Sequence, residues 1–170
     1  MKYPVLIEIA SENGLWRGIL PDFEGARVEA GTPEALLRAL GNRIGERLEA
    51  LAANGLPAPS PTPAECAPMP ESFSDWRLAR VDPEGGAEIF YPCDLIRVAG
   101  GGAFILTCNT PSLSFMGENL EDVKSAMQAG IGDVLEMRRR EGKPLSALLP
   151  FPEALGMRSQ EVVLIPVSVL

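Results

Sequence analysis

Three carboxylates stand where strands or turns are expected: Glu8, Asp22 and Asp94. Carboxylates converging on two Mg²⁺ ions would be the chemistry of a metal-dependent nuclease. Two stretches of the chain align with each other, and in that register Glu8 falls opposite Ile96 and Asp22 opposite Thr110, so no acidic set recurs in both copies. Glu8 also reads as the solvent-facing residue of an alternating strand whose other face is Val5 and Ile7. The chain has no histidine, which removes the commonest general base and the commonest transition-metal ligand. Ser-His-Asp, Cys-His and HExxH chemistry go with it. Cys66, Cys93 and Cys108 are odd in number and form no CxxC pair. Neither a disulfide framework nor a zinc site is indicated, and buried reduced thiols are expected. There is no P-loop, no GxGxxG after a strand and no GxSxG, and Gly100–Gly102 reads as a turn between strands. The chain is expected to be no enzyme, to carry no cofactor and no metal, and to have no catalytic residue.

Other side chains could bind. Arg138, Arg139 and Arg140 form the basic cluster, at the end of a helix where cations complement the dipole. Trp16 and Phe104 hold equivalent places in two hairpins and read as core, as do Met116 and Met127. Arg38, Arg43 and Arg47 share a helix with Glu34, Glu46 and Glu49, the pattern of a solvated face of mixed charge.

The helices that position these residues carry the clearest register. "IGERLEALAANGLP" from Ile44 and "IGDVLEMRRREGKP" from Ile131 share Ile, Gly, Leu, Glu, Gly and Pro at one spacing. The match extends back to Thr32 and Asn119 without a gap. Leu36, Leu40, Ile44 and Leu48 then face Val123, Met127, Ile131 and Leu135, an apolar stripe on each of two amphipathic helices. Thr32 and Asn119 are N-caps, with Pro33 at the first helical position and Glu34, Glu121 and Asp122 in the first turns. Gly55 and Gly142 stand where a left-handed C-cap is expected, each with a proline two residues on. Each helix should run about 22 residues, roughly 33 Å. The shared Gly45 and Gly132, one residue past the stripe, are expected to admit a closely packed neighbour.

Strands precede each helix. "KYPVLIEIA" resembles "FYPCDLIRVA", and "GLWRGILPDFEGARVEAG" resembles "GAFILTCNTPSLSFMGE". Each pair of β-type runs turns through glycine, at Glu12-Asn13-Gly14 and at Gly100–Gly102. A third strand, Ala26–Ala30 or Leu113–Met116, leads into the helix. A long proline-studded loop then leads to a last strand, Trp76–Asp82 or Glu161–Leu170. The loops at 57–74 and 144–160 are long enough to be functional or mobile. Because such a loop recurs inside each copy, the junction is expected at Asp82–Ala87. The expected fold is α+β, two tandem β-β-β-α-β units over residues 1–84 and 85–170. Each unit is marginal alone, and the two are expected to pack as an intramolecular pseudo-dimer, with higher oligomers left open.

The apolar fraction of 46% suits a packed globular protein and the net charge of −8 does not suit nucleic acid. An acidic chain suits a basic partner. "MKYPVLIEIA" is too quickly charged for a signal peptide and no apolar run approaches a membrane span, so a cytoplasmic location is expected.

One family resemblance can be stated on these residues. The opening strand, Pro21-Asp22-Phe23-Glu24-Gly25-Ala26, the helix beginning "PEALLRAL" and the Gly55–Pro61 exit together resemble the HicB antitoxin family over residues 1–82. The second copy matches only through the first and lacks the Pro-Asp and Gly signature. The resemblance implies a partial ribonuclease-H-like fold and a toxin-antitoxin setting, with a small basic HicA-type RNase toxin as the protein partner. Family members carry a C-terminal DNA-binding module where this chain has a second sheet, so no autonomous operator binding is expected. The reading from sequence is a non-catalytic protein-binding chain that masks or sequesters such a partner through a surface the sequence does not name. The alternatives are a structural or regulatory interaction protein without a toxin, or a degenerate metal-dependent nuclease.

Overall fold

Thr32 and Asn119 both cap helices in a computed structural model that describes residues 1–8, 13–63, 66, 76–149 and 161–170. Among the described residues the fold is α+β, an antiparallel sheet of eight strands with two helices. The chain divides into two compact units, residues 1–89 with 168–170, and residues 90–167.

The first unit contains β1 (Tyr3–Glu8), β2 (Trp16–Leu20), β3 (Ala26–Ala30), α1 (Pro33–Ala53), β4 (Trp76–Val81) and the start of β5 (Ala87–Arg97). Its strands hydrogen-bond in the order β3-β2-β1-β4-β5, all antiparallel. Leu6 pairs with Ile19 on one side and Leu78 on the other. Tyr3 through Ile7 are all buried, so β1 is covered on both faces, which explains its unbroken apolar run. The expected alternation about Val5 and Ile7 is therefore not observed, and Glu8 is half-buried, with its carboxylate 3.7 Å from the Arg17 guanidinium. The Glu12 part of the first hairpin turn lies outside the described residues, but Gly14 is left-handed (φ +72°) and Asn13 Oδ1 accepts the Leu15 N–H.

In α1 the Thr32 hydroxyl accepts the Ala35 N–H at 3.2 Å, satisfying one of the free donors of the first turn. Leu36, Leu37, Leu40 and Ile44 are buried. The helix ends on left-handed Gly55 (φ +67°), and the Leu56 N–H returns to the Leu51 carbonyl at 2.9 Å. This is the glycine-terminated cap that satisfies the last carbonyls.

The second unit contains the rest of β5, β6 (Phe104–Asn109), β7 (Ser112–Gly117), α2 (Leu120–Arg140), a 3-10 turn at Leu145–Leu148 and β8 (Glu161–Ser168). β5, β6 and β7 pair in that order, and β8 pairs with β5. Asn119 Oδ1 accepts the Glu121 and Asp122 N–H groups, and Val123, Met127, Ile131 and Leu135 are buried. Gly142 (φ +72°) ends α2 as Gly55 ends α1, with the Lys143 N–H on the Arg138 carbonyl. The Gln128 amide donates to the Pro166 carbonyl at 2.7 Å, tying α2 to β8. Both halves thus run strand, strand, strand, helix, strand, and in each the first strand pairs with the second and the fourth. Both helices span 21 residues.

The close helix contacts fall on other glycines than the shared ones. A Cβ on Gly45 would meet only Pro83, at 3.7 Å, and one on Gly132 would meet nothing within 4 Å. A Cβ on Gly41 would lie 2.9 Å from the Asp82 carbonyl oxygen, and one on Gly130 2.9 Å from the Phe115 ring. Gly41 lets the β4–β5 turn lie against α1, and Gly130 lets β7 lie against α2. The expectation that Gly45 and Gly132 are the packing positions is corrected accordingly.

The strands that end the hydrogen-bonded path, β3 in the first unit and β7 in the second, differ. In β3 the exposed residues are Arg27 and Glu29, the latter paired with Arg17 at 2.8 Å. In β7 they are Ser112, Ser114 and Met116.

Candidate binding cleft

A cleft of about 440 Å³ opens in the first unit, within the size range of ligand sites. Its first wall is the turn after β2. Pro21–Phe23 form a single 3-10 turn, and Phe23 is buried with its ring edge-on to Tyr3, centroids 4.9 Å apart. Glu24 then takes the left-handed conformation (φ +57°, ψ +28°), followed by left-handed Gly25, whose N–H returns to the Leu20 carbonyl at 3.2 Å. Among the described residues Glu24 is the one non-glycine with positive φ. That conformation costs an L-residue about 1–2 kcal/mol, and such outliers gather at binding and catalytic sites.

The second wall is the end of α1, with Arg47, Ala50, Leu51 and Asn54, and the third is Pro57–Pro59. The third wall is held by three long-range hydrogen bonds. The Tyr3 hydroxyl donates to the Pro59 carbonyl at 3.2 Å, and the Asp22 carboxylate accepts the Thr62 N–H at 3.0 Å and its hydroxyl at 2.5 Å. Burial raises the Tyr3 phenol above its ordinary pKa, and the nearby Asp22 charge adds to this.

The cleft's polar groups are unevenly occupied. Both Asp22 oxygens are engaged. The exposed Glu24 carboxylate and Arg47 guanidinium have no hydrogen-bond or ion-pair partner among the described residues. Asn54 donates Nδ2–H to the Ala50 carbonyl at 2.7 Å, and its side-chain oxygen has no partner among the described residues. The rest of the lining is apolar: Phe23, Ala50, Leu51, Pro57, Ala58 and Pro59. Nothing in this set is arranged as nucleophile and base. It can seat an apolar group and satisfy polar atoms around it.

Of the three carboxylates singled out by residue type, only Asp22 lines this cleft. Glu8 sits beside Arg17 on the sheet, and Asp94 is buried in the second unit opposite Thr107. Among the described residues no three of His, Cys, Asp and Glu are grouped so as to hold a metal ion. Arg138, Arg139 and Arg140 are in the last turn of α2, where Arg139 and Arg140 reach Glu136 at 3.4 and 3.0 Å. Trp16 is buried, whereas Phe104 is half-buried beneath the Arg97 guanidinium, 5.4 Å from the ring centroid. Met127 is core, but Met116 is 72% exposed, which corrects its reading as packing. The face of β7 that bears Met116 is the one turned away from Phe115 and α2.

Cys93 and Cys108 are buried directly opposite each other on β5 and β6, and contact with Cys108 together with burial pushes the Cys93 thiol up. Cys66 is exposed, not buried as expected. Gly100 and Gly102 are both left-handed and close the β5–β6 turn. Most of the loop segments 57–74 and 144–160 beyond Pro63 and Leu149 lies outside the described residues. Among the described residues no helix is long and apolar enough to cross a membrane. Glu24 and Asn54 were not singled out by residue type, and Arg47, expected on a solvated face of mixed charge, is exposed but lines the cleft. The signal that marks Glu24 is its place just before Gly25 in a turn whose first residue is a proline.

Set against known protein families, curated proteins and solved structures, the chain matches none.

Proposed function

We propose that this chain is a non-catalytic, cytoplasmic protein-binding protein built from two tandem HicB-like units, which masks or sequesters a small basic partner such as a HicA-type RNase toxin. One observation carries the binding role. An exposed carboxylate with no partner among the described residues, Glu24, is held at a cleft in a backbone conformation that glycine would adopt at lower cost. Residues strained in that way cluster at ligand clamps and active sites. The net charge of −8 supports a basic partner by raising the encounter rate with it. The like element order of the two halves supports the tandem reading, and the "PDFEG" segment that carries the family resemblance is the first wall of the cleft.

The test is affinity capture by the full chain from its own host, with the bound fraction identified by mass spectrometry and its stoichiometry measured. The expected result is one small basic protein at a fixed ratio, whose RNase activity is suppressed when this chain is added. A chain that retains no stoichiometric basic protein overturns the proposal.

A further inference from the structure

We infer that the cleft between the Pro21–Gly25 turn and the end of α1 takes an extended segment of a partner protein in which an apolar side chain stands beside a lysine or arginine. The inference rests on the protein-binding reading and names the chemistry that this one site would recognise. Phe23, Leu51, Pro57 and Pro59 give the apolar side chain a floor and two walls. A bound main chain needs one donor and one acceptor per residue satisfied. Arg47 offers N–H donors to carbonyl oxygens, and the Asn54 side-chain oxygen offers an acceptor to an N–H. Pro57 and Pro59 have no N–H to compete for the segment's carbonyls.

Charge selects the flanking residue. Two carboxylates, Asp22 and Glu24, line the cleft against one guanidinium. Asp22 already receives two hydrogen bonds from Thr62, so Glu24 is the carboxylate left to meet an incoming cation. An acidic segment would gain Arg47 but would face both carboxylates, and like charges at close range are repelled.

The experiment titrates the full ¹⁵N-labelled chain with three capped tetrapeptides: acetyl-Gly-Leu-Lys-Gly-amide, acetyl-Gly-Leu-Glu-Gly-amide and acetyl-Gly-Gly-Lys-Gly-amide. The Leu-Lys peptide is expected to shift the amide resonances of residues 22–25, 47–54 and 58, and to bind more tightly than either control. Glu24→Gln is expected to weaken that binding about threefold, the scale of one solvent-exposed ion pair. Glu24→Gly is expected to weaken binding equally while leaving the melting temperature unchanged or higher, because glycine relieves the left-handed strain. That combination separates a binding side chain from a structural one. Equal or tighter binding of the Leu-Glu peptide, no shifts in these residues, or unchanged binding in both Glu24 variants would each overturn the inference. The captured basic protein gives a second arm. Capture undiminished by Glu24→Gln overturns this use of the cleft and leaves the masking function standing. Peptide binding at the cleft in a chain that captures no basic protein supports the site and overturns the function.

Discussion

Asp22 grips Thr62 through both of its carboxylate oxygens, one on the backbone N–H and one on the hydroxyl, across forty residues of chain. The pair closes the segment after α1 back onto the turn after β2 and so builds the third wall of the cleft. Hydrogen bonds to a charged acceptor contribute about 1.5–3 kcal/mol. Asp22→Ala is expected to cost about that much, and Thr62→Val about 1 kcal/mol. Urea unfolding of both single variants and the double variant should return a non-zero coupling energy. Additive losses would show that the two residues act separately.

The helix glycines should separate by their surroundings. Gly132→Ala fills open space and is expected to stabilise the chain by up to about 1 kcal/mol, the helix-propensity difference. Gly45→Ala meets Pro83 at an ordinary distance and should also stabilise. Gly41→Ala drives a methyl against the Asp82 carbonyl, a backbone atom that moves only with its turn. It is expected to lose about 1–3 kcal/mol. Thermal melts of the three variants check the order, and a stabilised Gly41→Ala would contradict the packing described here.

Glu88 links pH to stability. Burial works to raise its pKa, but hydrogen bonds from Lys2 at 2.7 Å and Arg80 at 2.8 Å win, and the carboxyl is held below its ordinary value of 4.5. A depressed folded-state pKa gives stability that is present above the unfolded value and lost as pH falls through the folded one. Since Lys2 and Arg80 are about a third exposed, the gain is discounted to about 1 kcal/mol. Glu88→Gln should lower stability at pH 7 by about that amount and flatten the acid limb of the stability curve below about pH 5.

Both tyrosines should resist ionisation. Burial raises the Tyr91 phenol, with Cys108 adding to it, and burial with Asp22 raises Tyr3. The chain has no other tyrosine. A raised folded-state pKa means stability that is full below the unfolded value of 10.0 and declines as pH rises past it. Absorbance of tyrosinate should therefore appear only above pH 10, together with loss of the circular dichroism signal. Titration of either ring in the folded chain near pH 10 would show that it is accessible.

Local signals in the sequence located most elements. The caps at Thr32 and Asn119, the left-handed ends at Gly55 and Gly142, and strand Ala26–Ala30 all stand where the residue types placed them, because caps and turns depend on near neighbours. Burial was harder to read. An unbroken apolar run such as Tyr3–Ile7 does not reveal whether one face or two are covered, and methionine at 116 has the same composition signal as methionine at 127. The cleft was not legible. It draws on residues 22–24, 47–54 and 57–59, which converge only after α1 has folded back along the sheet. The Glu24 conformation was hidden for another reason: a turn rule assigns the left-handed place to Gly25, and here both residues occupy it.

Net charge describes a molecule seen from afar, whereas crowded molecules meet one surface at a time. At β3 an approaching copy meets Arg27 and Glu29, and charges on an outer strand are a common guard against strand-to-strand association. At β7 it meets two hydroxyls and a thioether. The −8 charge keeps copies apart while the Debye length is long, but that length shrinks to about 10 Å at 0.1 M salt. Screening therefore leaves the serine and methionine face of β7, a strand without a charged residue, with no like-charge repulsion of its own to hold a second copy off.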